Sequence, residues 1–290
     1  HRIPTYEEYR NQNLLAIICG ARGIIQFNRM VAHYPELALG MPHLTRELAA
    51  LEAVFTAPTA AVEPHANRDE ARLLLKEYEG QLWLLACNAA VSPHDITLTI
   101  PGVDGIQGMT VISEGRKVAV QDHQWHDTFG PFECHVYTTG GNLGLPTVTQ
   151  ISAEITAANA ARHKPGNLVY QAFEGDGVVV TASSNAAGRF QRPDNGLWHL
   201  VDGVVDTTDR YQNLTWRDTT ENQGPDWIDI ALPRSEKVGR VVVYPFEKSL
   251  KDYTIDAWVN GTWQTVAKAA GQVSDEATHT FTPVSTTRIR

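Results

Sequence analysis

Cysteine is scarce in this sequence and badly spaced for metal. The three cysteines, at positions 19, 87 and 134 of 290 residues, lack the close pairing that a structural zinc site needs. They read as small buried apolar groups, Cys19 in a helix and Cys87 and Cys134 in strands. A Cys87–Cys134 disulfide requires those two strands to face each other, so the redox compartment stays open. Positive charge is also short: 24 Lys and Arg against 33 Asp and Glu give a formal net charge of −9, and no basic stripe offsets it. Polyphosphate and anionic headgroups would be repelled, which argues against nucleic acid as a partner. No apolar run reaches bilayer length, so no membrane insertion is expected. No signal peptide opens the chain and both ends read as cut. An extracellular or cell-surface location is therefore expected only if the parent protein carries a leader upstream.

What is present is a folding composition. Hydrophobic residues make up 42% and charged residues 20%, values of soluble globular protein, and the length asks for two or three units. Residues 1–58 read as helix, strand, helix. Thr5 follows Pro4 and precedes Glu8 by three, the pattern in which a hydroxyl and a carboxylate satisfy free helix amides. Tyr9, Leu14, Leu15 and Ile18 recur at helical spacing, and Gly20 supplies a stop. Glu7 and Glu8 suit the positive end of that helix better than acid and base catalysis. The run GIIQF, residues 23–27, is short and apolar on both faces, as a covered parallel strand would be. A second helix is predicted from Pro42 to Pro58, with Leu44, Leu48, Leu51 and Phe55 on one side. One strand cannot make a sheet, so this piece needs partners, and its order suits the close of a repeating α/β fold.

Residues 68–139 read as all-β. In DITLTI, Ile96, Leu98 and Ile100 alternate with Thr97 and Thr99, a strict period of two. QLWLLACN, GMTVIS and ECHVYTT continue the theme between Gly, Pro, Asn and Asp turns. Residues 140–165 read as a linker with ITAANAARH as a short helix. Residues 166–290 are β-rich again: Ile228, Ile230 and Leu232 alternate, as do Tyr253, Ile255, Ala257 and Val259 before the turn NGTW.

Three resemblances add to this reading. PTYEEYRNQNLLAIICGARGIIQF, with the later HLTRELAALEAVF, resembles the last helix, strand and helix of the (β/α)8 barrel in glycoside hydrolases of the β-galactosidase and related clans. LWLLACNAAVSPHDITLTIPG and DTFGPFECHVY are similar to the β-sandwich that commonly follows such barrels and serves a structural role there. TASS, HLVDGVVDT, PDWIDIALPRSEKVGRVVVY, LKDYTIDAWVNGTWQTVA and HTFTPVSTTRIR, in that order, resemble the galactose-binding-like jelly roll known as the discoidin or coagulation factor 5/8 type C domain. Together they imply a mainly β multidomain chain. A C-terminal remnant of a (β/α)8 TIM-barrel catalytic domain would occupy 1–58 and a β-sandwich accessory domain 68–139. A discoidin-like domain would occupy 166–290, its last strand lying past Arg290.

Glycoside hydrolysis needs two facing carboxyl groups. In the resembled barrels these come from earlier strands, so no catalytic residue is assigned here. Gln26, Asn28 and Arg29 fall at the end of the barrel-like strand, where substrate hydroxyls are bound in such folds, although loop polarity alone also explains them. DGVVDT resembles the calcium loop of the discoidin family, which implies a structural calcium ion held by Asp202, Asp206 and Thr207. Val204 stands where many members have an acidic or amide residue, and the competing reading is a metal-free turn whose Asp side chains bond nearby amides. Sugar recognition combines an aromatic platform with planar polar groups, which brings Arg189, Arg192, Trp198, His199 and Tyr211 forward. Trp216, Trp227 and Trp263 take positions where the family uses tryptophan in its core. Pro245 and Phe246 depart from the Pro-Arg pair of sugar-binding relatives, which weighs against galactose itself. His123 and His126 lack a third metal ligand and read as solvated.

The leading expectation is the C-terminal fragment of a glycoside hydrolase, supplying barrel closure, a packing sandwich and a carbohydrate-binding module for an oligo- or polysaccharide. Two alternatives stand beside it: a non-catalytic lectin or adhesin, and a jelly-roll scaffold that binds nothing.

Overall fold

The computed structural model describes residues 4–26, 33–102, 105–172, 175, 177–185, 197–205, 215–220 and 223–290. The chain divides into two compact units, Ile3–Ala158 and Asn159–Arg290. It is mainly β: among the described residues, thirteen strands form three antiparallel sheets.

The first unit opens with α1 (Tyr6–Ile18). Its capping box forms as the sequence predicts: the Glu8 amide donates to Thr5 Oγ1 at 3.2 Å and the Thr5 amide to Glu8 Oε2 at 3.0 Å. Gly20, at φ +97°, follows the helix end, a conformation that costs glycine nothing. The strand expected at GIIQF is not formed at residues 23–26, where the backbone is unpaired and Ile25 is 96% exposed. A strand exists through its ladder, and no described neighbour offers one. A short helix that was not expected, α2 (Pro35–Ala38), comes next, and the helix predicted from Pro42 to Pro58 arrives as α3 (Gly40–Ala50) and α4 (Glu52–Thr56).

The sandwich has a five-stranded sheet in the order β2 (Ala71–Tyr78), β3 (Gln81–Asn88), β8 (Cys134–Thr138), β5 (Gly108–Ile112), β6 (Arg116–Ala119). Its three-stranded partner runs β1 (His65–Ala66), β4 (His94–Thr99), β7 (Gln124–Phe129). Between the sheets lie Leu84, Ile96, Leu98, Val111, Phe129 and Tyr137. A second core forms on the other face of the five-stranded sheet, where Leu14, Leu51 and Val54 meet Trp83, Leu85 and Val136. Strands β3 and β8 are therefore covered on both faces, and their text is accordingly almost unbroken in apolar residues. Cys87 and Cys134 stand opposite each other in β3 and β8 and are joined as a disulfide. Cys19, expected to be buried, is free and exposed just past the end of α1. The segment read as a linker contains a longer helix than expected, α5 (Val148–Arg162), whose Ile151 and Ile155 pack with Tyr6, Tyr9 and Leu44.

The second unit holds one five-stranded sheet in the order β12 (Thr262–Ala269), β11 (Tyr253–Val259), β13 (Ala277–Ile289), β10 (Ile228–Val243), β9 (Val179–Ala182). Register shifts interrupt the β10–β13 pairing between Ala231 and Glu236 and between Val238 and Arg240. Such bulges bend a strand and increase its twist, and the long curled sheet that results is consistent with a galactose-binding-like jelly roll. The β11–β12 hairpin turns at Asn260 and Gly261, with φ of 50° and 81°. Both positive values belong to the two-residue turn that Asn-Gly favours.

Candidate functional site

The candidate loop begins at a short 3₁₀ turn, Leu197–Leu200. Asp202 follows, fully buried. One of its carboxylate oxygens accepts from the Val204 amide at 2.7 Å, and the other lies 3.0 Å from His199 Nδ1. Its backbone carbonyl accepts from Arg162 Nη2 at 2.6 Å. Gly203 sits at φ +77°, where a Cβ would come within 2.8 Å of the Tyr170 ring. Glycine is thus required twice over, for backbone conformation and for close approach.

Both Asp202 carboxylate oxygens serve protein donors, and the Arg162 guanidinium holds the carbonyl. Among the described residues no group of three or more His, Cys, Asp or Glu side chains is placed to hold a metal ion. Asp206 and Thr207 lie outside the described residues, as do Arg189, Arg192 and Tyr211 of the expected sugar site and Asn28 and Arg29 of the expected substrate site.

Trp198, expected as a sugar platform, is instead a core residue at 4% exposure, and its indole Nε1 donates to the Gln171 carbonyl at 3.2 Å. Loop residence in sequence did not reveal that Gln171 and Val201 would close over it, with the Gln171 amide donating to the Val201 carbonyl at 2.9 Å. His199 is half-buried between Trp198 and Asp202. Gln26 is exposed and directs its amide to Asn13 Oδ1 at 2.6 Å. His126 lies on the outer face of β7 with Nδ1 2.8 Å from Thr97 Oγ1.

The three tryptophans set aside from the site behave as structure. Trp216 donates to the Ser184 carbonyl at 2.8 Å. Arg290 lies 4.5 Å from the Trp227 ring and 4.3 Å from that of Trp263, and Arg288 lies 5.3 Å from Trp263. Asp229, 1% exposed, ties both guanidiniums, at 2.5 Å to Arg288 and 3.2 Å to Arg290. The rings of Trp227 and Trp263 thus each carry a cation.

The first unit holds a second polar cluster that the sequence did not reveal. His135, on β8, points between the two sheets and is 2% exposed. It lies 3.1 Å from Asp127 on β7, 3.4 Å from Glu133 and 3.6 Å from Glu114. Arg116 bridges Glu114 at 2.7 Å and Asp127 at 2.8 Å, and the Tyr137 hydroxyl donates to Asp127 at 2.7 Å. Burial disfavours the imidazolium, but the hydrogen bond to Asp127 and the neighbouring Glu133 and Glu114 carboxylates outweigh it and raise the His135 pKa. Burial likewise opposes ionisation of Asp127, yet His135, Arg116 and Tyr137 hold it well below the usual carboxylate range.

With this geometry in view, the second unit is a curled antiparallel sheet whose buried Asp-Gly loop precedes a Trp-Arg packed face. Residues 199–290 match the family model of the F5/F8 type C kind described as NedA-like, galactose-binding domain. A search of curated proteins finds no match. Among solved structures, the family 32 carbohydrate-binding module from C. perfringens NanJ, in complex with galactose, is 21% identical, with a TM-score of 0.30, over 39% of this chain and 78% of that one. A family 32 module of a family 31 glycoside hydrolase, bound to GalNAc, is 16% identical, with a TM-score of 0.29, over 39% of this chain and 83% of that one. A putative α-galactosidase/melibiase from Bacteroides fragilis is 19% identical, with a TM-score of 0.32, over 47% of this chain and 28% of that one.

Proposed function

We propose that the second unit is the glycan-binding module of a carbohydrate-active enzyme, and that the first unit supplies the closing part of its catalytic barrel and a structural sandwich. The family match over residues 199–290 carries this reading. The resemblance of the N-terminal text to a barrel's last helices, and the unpaired run at 23–26 with Ile25 bare, support the second part, since such a run would gain a ladder and cover from neighbouring strands. The module's task would be to raise the effective concentration of substrate near the catalytic centre. Its ligand is a neutral oligosaccharide, held outside the cell.

Within the module, Arg189, Arg192, His199 and Tyr211 remain the binding residues to vary, whereas buried Trp198 is a fold residue. The test is calorimetric titration of the whole chain with galactose, GalNAc and a panel of neutral oligosaccharides. At least one glycan should bind, and Arg192→Ala or Tyr211→Ala should weaken it by roughly tenfold, the loss of a hydrogen bond or a stacking contact. Absence of binding to every glycan would favour the scaffold reading, to which the burial of Trp198 already lends weight.

A further inference from the structure

We propose that the Asp202 loop of the second unit is held by an internal cation, the Arg162 guanidinium, and not by a metal ion. The inference goes beyond glycan binding and does not depend on it.

The chain's own donors meet the oxygens of Asp202 that a cation would share. Arg162 Nη2 reaches the Asp202 carbonyl at 2.6 Å, while Nη1 of the same group reaches Asn159 Oδ1 at 3.2 Å. Asn159 is itself 6% exposed, and its carbonyl accepts from the Tyr170 hydroxyl at 2.7 Å. Tyr170 in turn covers Gly203 and stacks on His163, with ring centroids 5.0 Å apart. The Asp202 carboxylate finishes the arrangement by accepting from the Val204 amide at 2.7 Å and facing His199 Nδ1 at 3.0 Å.

A guanidinium suits this task. It is a fixed positive charge with donors pointing in several directions, so it can hold a carbonyl and an amide oxygen together. A divalent ion brought to the Asp202 carbonyl would face the charge of this guanidinium at short range. Val204, which stands where a further oxygen ligand would serve a metal, costs nothing if no metal is held.

The experiment is thermal unfolding of the whole chain, with near-ultraviolet circular dichroism following the tryptophans of the second unit. Millimolar calcium or an excess of EDTA should leave the wild-type transition unmoved within about 1 °C, whereas Arg162→Ala should lower it by roughly 5 °C. Calcium should not restore the variant, and Arg162→Lys should recover part of the loss by keeping the charge. Terbium luminescence on the wild-type chain provides a readout that survives if Arg162→Ala fails to fold: no tryptophan-sensitised emission is expected. A wild-type melting temperature that falls with EDTA, saturable terbium emission, or an Arg162→Ala chain as stable as wild type would each overturn the proposal.

Discussion

In the first unit a buried guanidinium meets a single carboxylate, whereas in the second a buried carboxylate meets two guanidiniums. Arg10 and Glu47 are each 3% exposed and pair through two hydrogen bonds, of 2.8 and 2.7 Å. Arg10 also donates to the Cys134 carbonyl, and Ser113 Oγ donates to Glu47 at 3.1 Å. Asp229 is as deeply buried, but its partners Arg288 and Arg290 are 41% and 29% exposed and lean on indole rings. The contrast concerns solvent. The first arrangement closes its charges away from water, so its parts are not separable; the second lets water and aromatic faces share the surplus charge.

Removing one member of a closed pair should therefore have the largest effect. Arg10→Met leaves the Glu47 carboxylate buried without a counter-charge and should cost the first unit about 3–5 kcal/mol, with much of that recovered when Glu47→Met is added. Urea unfolding of single and double variants checks both figures. A single-variant loss below about 1 kcal/mol would remove the basis of the comparison.

The second unit should lose less. Asp229→Asn takes the negative charge from between Arg288 and Arg290 but keeps a hydrogen-bond acceptor, and both guanidiniums retain access to water and to Trp227, Trp258 and Trp263. A loss of roughly 1–3 kcal/mol is expected from the same unfolding experiment. A loss equal to that of Arg10→Met would mean that the exposed fractions of the two arginines contribute nothing.

This difference also explains what could be read from the sequence. Local rules were legible: Thr5 and Glu8 announced the helix start, Asn260-Gly261 the hairpin, and the alternation in Ile228, Ile230 and Leu232 the strand. These signals rest on neighbours within a few residues. The Cys87–Cys134 bridge needed the register of β3 against β8, which spacing does not encode. Arg10, Asn11 and Asn13 lie on the buried face of α1, and a polar residue on a helix reads as solvated until its distant partner is known. Arg162 and Asp202 are 40 positions apart, so the guanidinium that reaches the loop lay inside a segment read as linker. Residues 23–26 failed for the complementary reason, because strand composition forms no strand without a neighbour.

The smallest expected effect, and the one that sharpens the comparison most, is a pH dependence of the first unit. His135 is faced by Asp127 from β7, Glu133 from the turn before β8, Glu114 and Arg116 from the β5–β6 hairpin, and Tyr137 from its own strand, with Arg10 of α1 acting at longer range on Glu114 and Glu133. Because its folded pKa is raised above the ordinary 6.5, its contribution is complete below that value and fades as pH climbs through the folded pKa. Asp127 and Glu133, both lowered despite burial, act at the other limit: their contribution is present above the ordinary carboxylate range and is lost as pH falls through their folded values. Glu114, raised by burial, works against them, since its ionisation costs stability as pH rises past 4.5. Stability of the first unit should thus decline gently on the alkaline side, and His135→Gln should flatten that decline without altering the acid limb's position greatly. Unfolding followed from about pH 5 to 9 checks this. An alkaline decline that persists in His135→Gln would mean that a group other than this imidazole joins the two sheets.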